Sequence, residues 1–246
     1  MGMQGTLTRK QREIQEREGK ILELARAMIV GQGYHGLSMD RIAEALEYSK
    51  GTIYQHFSCK EEVLMALVNQ ALERRLGLFR RAAMFRGRPR ERLVAIGVAA
   101  ELFFRLYPDH FRVEHVIRLS SVQEKTSDER RTFLEACEAS CMEIVAGVIR
   151  DGVASGDLKL PQSFGPECLA FGLWAITFGG NSIMASSPSL AKLGIQQPLE
   201  VIRANCNALL DGFAWRPLSS EIDQAKLLER IVTEVFPVEM AQAQLE

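Results

Sequence analysis

The chain has 246 residues, 47% hydrophobic and 25% charged, with a formal net charge of −1, which is ordinary globular usage. At that length most of the unfolded surface is buried in one large domain or two small ones, which excludes collagenous, disordered and small disulfide-framework classes. The best apolar run, Leu93–Phe104, is interrupted by Glu101 and falls short of the ~20 residues of a membrane span.

The polar stretch Met1–Lys10 lacks the apolar core of a secretory leader. Met1-Gly2 with Thr6 fits the N-myristoylation pattern, on loosely constrained positions. Five cysteines, Cys59, Cys137, Cys141, Cys168 and Cys206, are an odd, scattered set that suits free thiols in the cytoplasm. Cys137 and Cys141 share a helical face, where small core residues are the simplest reading. No CxxC, HExxH, GxSxG, Walker or GxGxxG pattern occurs, and His35, His56, His110 and His115 make no ligand spacing. No enzymatic activity, metal or cofactor is therefore expected. Charge is unevenly spread: Met1–Arg92 carries 17 Lys and Arg against 11 Asp and Glu, the remainder 13 against 20. A basic N-terminal third beside an acidic remainder points to a polyanion for the first part only.

The pattern is helical throughout, with no alternation of a half-buried strand. Thr8 and Gln11 form a capping box that opens a charged arm, and Gly19 marks a possible joint in it. Ile21, Leu24, Ala25 and Met28 form a stripe ending at Gly31-Gln32-Gly33. Ser38 caps a short helix, Met39–Leu46, that buries Ile42, Ala43 and Leu46 and has Asp40 in its first turn. After Glu47-Tyr48-Ser49 a third helix runs from Lys50 to Phe57, capped by Ser49, with Ile53 and Phe57 on its buried face. Ser58 to Glu61 is a second capping box, opening a helix to about Phe85.

The break Arg86-Gly87-Arg88-Pro89 places a domain junction there, dividing the chain into 1–86 and 87–246. Beyond it the sequence predicts a mostly apolar helix to Tyr107-Pro108, a short one around Phe111–Leu119, and a long one from Ser127 or Asp128 to Gly156. Proline-initiated helices follow at Pro166 and at Pro198, the second reaching Trp215. Ser220 caps a last one near Phe236, whose role the sequence leaves open. About ten helices and no sheet make the fold class all-α.

Ser38–Phe57 reads as a helix-turn-helix, whose second helix enters the DNA major groove. Ala43 is small where the helices cross, and Ile42, Leu46, Ile53 and Phe57 supply the seam. Outward lie Lys50, Gly51, Thr52, Tyr54, Gln55 and His56, donors without a carboxylate among them, as phosphates and base edges require. Tyr54 and His56 point apart, toward the two phosphate walls of the groove. Lys60, in the first turn of the next helix, adds its charge to the helix dipole. The arm residues Arg9, Lys10, Arg12 and Arg17 are diluted by Glu13, Glu16 and Glu18, which favours a solvated helix over DNA contact.

These residues carry a resemblance. Ser38-Met39-x-x-Ile42-Ala43-x-x-Leu46, then Ser49-Lys50-Gly51-Thr52-Ile53-Tyr54-x-His56-Phe57-x-x-Lys60-Glu61-x-x-Leu64, with Ala25 and Gly33-Tyr34 upstream, resembles the TetR/AcrR family of transcriptional regulators. The resemblance covers about Ile21–Leu67. It implies a homodimer, a three-helix DNA-binding domain and a larger helical ligand-binding domain, acting usually as a repressor released by a small molecule. By the same resemblance Lys50, Gly51 and Thr52 read bases, Tyr54, His56 and Lys60 contact phosphates, and Ser38 and Met39 meet the backbone. Glu47 departs from the usual turn glycine, at a left-handed cost of about 1 kcal/mol, and Tyr48 stands where a small apolar residue is usual and can itself reach a phosphate. Cys59 replaces a small polar residue.

In the second part Phe103, Phe104, Tyr107, Phe111, Phe133, Phe171, Trp174 and Phe178 are core candidates that can also line a pocket for an apolar or aromatic effector. Glu114, His115, Arg118 and Asn181 are candidate polar anchors. Helices 166–185 and 198–215 are too apolar for a monomer surface, and Gly172, Gly179, Gly180 and Ala204 let helices approach, which predicts a four-helix dimer seam. Two alternatives stay open: an activator or architectural DNA binder on this scaffold, and an all-helical carrier or enzyme that has lost DNA binding.

Overall fold

The computed structural model describes residues 8–117, 123–186 and 189–243. Among them are eleven α-helices and no strand: α1 Arg9–Gln32, α2 Met39–Ala45, α3 Lys50–His56, α4 Lys60–Ala83, α5 Pro89–Leu106, α6 Pro108–Ile117, α7 Asp128–Ala154, α8 Pro166–Ser186, α9 Pro198–Gly212, α10 Gln224–Val235 and α11 Pro237–Ala243. They form two compact units. The first takes the described residues of Met1–Ala71 and Asp109–Leu134, the second those of Leu72–Pro108 and Glu135–Glu246. A division after Arg86 follows the sequence break, whereas the compact units share α4 and α7 between them.

In the first unit, Thr8 opens α1 with the expected reciprocal cap: its backbone N–H donates to Gln11 Oε1 at 2.8 Å and the Gln11 N–H to Thr8 Oγ1 at 3.3 Å. The helix continues without a joint through Gly19. Its buried stripe is Ile21, Leu22, Ala25 and Ile29, one step round from the expected Leu24 and Met28, which stay half-buried. In the same unit Ile42, Ala43, Ile53, Phe57, Val63, Leu64 and Leu67 are likewise nearly inaccessible. Leu46 is half-buried. A core of this size holds two seven-residue helices that are too short to persist alone.

The second unit is organised around a buried cation. Arg90 is fully inaccessible; it donates to the Trp215 carbonyl and pairs with Asp211 Oδ1 at 2.6 Å. Burial works against the Asp211 carboxylate, but bonds from Ser219 and the Arg90 guanidinium hold it below its ordinary 3.8. Gly152 is obligatory there, because a Cβ would lie 2.5 Å from Trp215 Cζ2. Helices α8 and α9 pair closely: a Cβ at Gly172 would meet Leu209 at 3.3 Å and one at Gly180 would meet Ile202 at 2.5 Å.

The C-terminal segment, left open by the sequence, packs on α5. It begins with Asp223, not Ser220, capping α10 through the Lys226 N–H at 3.0 Å. Pro237 starts a further helix, α11, which the sequence reading did not anticipate. Arg81 of α4 binds Glu239 at 3.0 Å with its guanidinium 5.1 Å above the Phe236 ring. Leu93–Phe104 is not the longest apolar stretch. By length and composition α8 matches a membrane span, since Glu167 is its single charge and its polarity comes from small Gly, Ser, Thr and Asn residues. One such helix, paired along a side with α9, is not an argument for a membrane.

Candidate nucleic-acid interface

The turn between α2 and α3 is set by backbone bonds. The Tyr48 N–H donates to the Ala43 carbonyl at 2.9 Å and the Glu47 N–H to Glu44 at 3.1 Å, the paired pattern of a Schellman turn. Glu47 occupies its left-handed position with φ 54°, so the turn keeps its geometry and the residue carries the strain. Ser49 then caps α3: its Oγ accepts from the Thr52 N–H at 3.0 Å and shares a 2.8 Å bond with Thr52 Oγ1. Ile53 and Phe57 anchor α3 inward, at 0% and 2% exposure.

What α3 presents outward is mostly as the sequence predicts. Ser49, Lys50, Gly51, Tyr54 and Gln55 are exposed, and Thr52 and Tyr48 are half-buried. A Cβ at Gly51 would meet Ser49 Oγ at an ordinary 3.7 Å. Nothing among the described residues demands glycine at that position, so its bareness is available to something outside. The carboxylate-free reading of the face holds for α3 itself but not for its surroundings. Asp40 of α2 reaches Lys50 Nζ at 2.8 Å, and that bond raises the lysine pKa.

Two expected side-chain contacts, those of His56 and Met39, are placed otherwise. The His56 side chain is only 7% exposed and bonds through Nδ1 to Glu18 Oε1 of α1 at 3.4 Å, so it faces α1 rather than a groove wall. Met39 is buried, and its side chain serves the core. Ser38 is half-buried and makes no side-chain capping bond, leaving its backbone as the group at the start of α2.

Lys60 is steered rather than free. Its ammonium lies 4.4 Å from the centroid of the Tyr34 ring, whose hydroxyl donates to Glu61 Oε1 at 2.9 Å. Burial, then the Glu61 carboxylate, pushes the Tyr34 hydroxyl well above its ordinary pKa. Burial opposes ionisation of Glu61, yet the bond from Tyr34 and the charge of Lys125 hold its carboxyl low.

Beside it, Glu62 accepts from the Ser127 backbone N–H and from Arg130 Nε at 2.7 Å, while the Cys59 thiol donates to the Lys125 carbonyl at 3.5 Å. Arg130 also sits 5.4 Å from the Phe57 ring centroid. These bonds are why residues 109–134 belong to the compact unit of the helix-turn-helix. Sequence reasoning missed them, because a pair of glutamates in a helix's first turn reads simply as dipole complement.

The candidate effector residues are divided between the two compact units. Phe111 and Phe133 fall in the first unit, Phe103, Tyr107, Phe171, Trp174 and Phe178 in the second. Phe103 and Phe111 are buried, whereas Phe133 is 37% and Phe171 58% exposed. Phe103 and Tyr107 lie 5.8 Å apart, and Phe171, Trp174 and Phe178 form a ladder at 6.0 Å steps along α8. Glu114 is buried at 1% exposure; the His115 side chain and Arg118 lie outside the described residues. Asn181 is buried in α8 and its Oδ1 has no hydrogen-bond partner among the described residues. A shallow groove of about 440 Å³ lined by Val153, Leu158, Lys159, Leu160 and Phe164 includes none of the expected residues.

Comparison with known proteins gives a consistent picture. Residues 21–67 match the profile of bacterial regulatory proteins of the tetR family. The transcriptional activator FasR of Mycolicibacterium smegmatis is 37% identical over 89 residues, covering 36% of this chain and 39% of that protein. The transcriptional repressor KstR2 of Mycobacterium tuberculosis is 26% identical over 144 residues, covering 58% of this chain and 70% of the relative. Among solved structures, the TetR-family regulator PfmR from Thermus thermophilus superposes with a TM-score of 0.60 at 22% identity, over 78% of this chain and 97% of its own. That likeness concerns the fold.

Proposed function

Since this chain belongs to the TetR family of transcriptional regulators, we propose that it is a homodimeric repressor released from a near-palindromic operator by a small molecule. The carrying observation is α3: a short helix pinned by Ile53 and Phe57, capped by Ser49, and turned so that Lys50, Gly51 and Tyr54 face solvent with no carboxylate among them. Lys50, Gly51 and Thr52 read base edges, and Tyr54, Tyr48 and Lys60 hold phosphates. The Ser38 and Met39 backbone lies at the entry to α2. Asp40 restrains Lys50 until a base or phosphate displaces it.

Dimerisation through α8 and α9 is supported by how little of α8 one chain covers. Only 17% of its most apolar window is buried, with Phe171 and Ile183 at 58% and 53% exposure and Val201 of α9 at 43%. A second copy meeting that face presents two recognition helices about one DNA turn apart. Action as a repressor is favoured by the longer match to KstR2, the FasR match being confined to 36% of the chain. The effector is apolar or aromatic. KstR2 is described as a ketosteroid transcriptional regulator, and the unpartnered Oδ1 of Asn181 suits one donor group on such a molecule. Release requires the effector to favour the non-DNA state by the coupling energy, typically about 1–3 kcal/mol. The assembly works in the cytoplasm.

Binding of alanine variants to the DNA upstream of the chain's own gene tests the interface. Lys50→Ala and Thr52→Ala cost about 1–3 kcal/mol at the cognate site and relax its sequence preference, whereas Tyr54→Ala and Lys60→Ala weaken every duplex alike. Wild-type binding by all four variants overturns the assignment.

A further inference from the structure

We infer that the first three turns of α1, Arg9–Lys20, are a second DNA-contacting element that takes the sugar–phosphate backbone flanking α3. The inference rests on the DNA-binding reading above and extends its footprint.

This part of α1 has no role in the core, since Ile21 is the first buried residue of the helix. In sequence its cations look diluted by glutamates. In the structure Glu13 is taken by Arg9 at 2.9 Å and Glu18 by His56 at 3.4 Å. Lys10, Arg12, Arg17 and Lys20 are exposed and have no ion-pair partner among the described residues, with Glu16 as the remaining acid. The first turn holds no acidic residue but carries Arg9, Lys10 and Arg12, where the helix dipole disfavours positive charge. Local stability does not account for that arrangement, and an external polyanion does.

The partner follows from continuity. Glu18 bonds to His56, the last residue of α3, so the arm is tied to the end of the helix that meets the groove. From Glu18 to Arg9 the helix extends about 13 Å, roughly four base pairs along a duplex at about 3.4 Å each. Lys10 and Arg17, seven residues apart, lie on one stripe of the helix. The Thr8–Gln11 cap holds the arm helical beforehand, so contact costs little ordering. Such contacts carry charge but no sequence information.

The test uses the full chain and two duplexes, the DNA upstream of its own gene and a random sequence of equal length, titrated over a range of KCl. In K10A/R12A/R17A the slope of log affinity against log salt becomes shallower by about 0.9 per lost phosphate contact. Both duplexes are affected by the same factor, and hydroxyl-radical protection retreats at the outer edges only. Glu16→Lys steepens the slope. K159A/K192A/K226A, which removes exposed lysines of the second unit, leaves it unchanged. An unchanged slope and footprint in the arm variant, or an equal loss in the control, overturns the arm. Failure of the wild-type chain to bind either duplex at low salt overturns the DNA-binding reading itself.

Discussion

Helices α3 and α8 solve opposite problems. Helix α3 has seven residues, with Ile53 the only one fully buried; its outward surface is polar, and its length gives it no stability of its own. Helix α8 has 21 residues and is apolar nearly all round, yet buries only Leu169, Ala170, Leu173 and Asn181. The first is a polar face that the protein supports from beneath; the second is an apolar face that one chain leaves uncovered. The same physics, that apolar area leaves water and donors seek acceptors, underlies the two proposed partners, a polyanion for α3 and an apolar surface for α8.

Truncating the interior support of α3 has the largest effect. Ile53→Ala removes a side chain with no exposure and lowers stability by about 2–5 kcal/mol, seen as a lower thermal midpoint together with loss of operator binding. The reverse pattern is expected on α8. Phe171→Glu with Ile183→Glu leaves the melt of the chain within about 0.5 kcal/mol, while sedimentation shifts to monomer and operator affinity falls by about 100-fold as paired contact is lost. A melt that collapses in that variant places α8 in a subunit core and breaks the contrast. The smallest effect sharpens the α3 side: Glu47→Gly relieves a left-handed residue and raises urea stability by about 0.5–1 kcal/mol.

How much of this was legible in the sequence depended on whether a residue's role is local. The Ser49 cap, the Ile53–Phe57 spacing and the left-handed Glu47 are consequences of near neighbours, and the structure places each of them as the sequence predicts, whereas α1 runs on through Gly19 and α10 opens at Asp223 rather than Ser220. His56 was misread because its spacing on α3 is compatible with either a groove wall or α1, and only the packing of Glu18 38 residues away decides. The ion pair of Lys50 is hidden from the sequence for the same reason, its partner Asp40 lying on the preceding helix. The core stripe of α1 was displaced by one position because Leu22 and Leu24 are equally apolar and the neighbouring helices choose between them. The aromatic set was chosen by residue type alone, and type does not say which unit or which side of a helix a ring belongs to.

The clasp of Glu62 on Ser127 and Arg130 bears on how such a chain can be recombined. A chimera that exchanged the N-terminal portion at Arg86 would strand that carboxylate against foreign residues at 127 and 130, and would deprive Asn69 of its 3.4 Å bond to the Arg130 carbonyl. The transplantable module is discontinuous. On those bonds a graft that keeps Ser127 and Arg130 with the helix-turn-helix is expected to fold better than one cut by linear order alone.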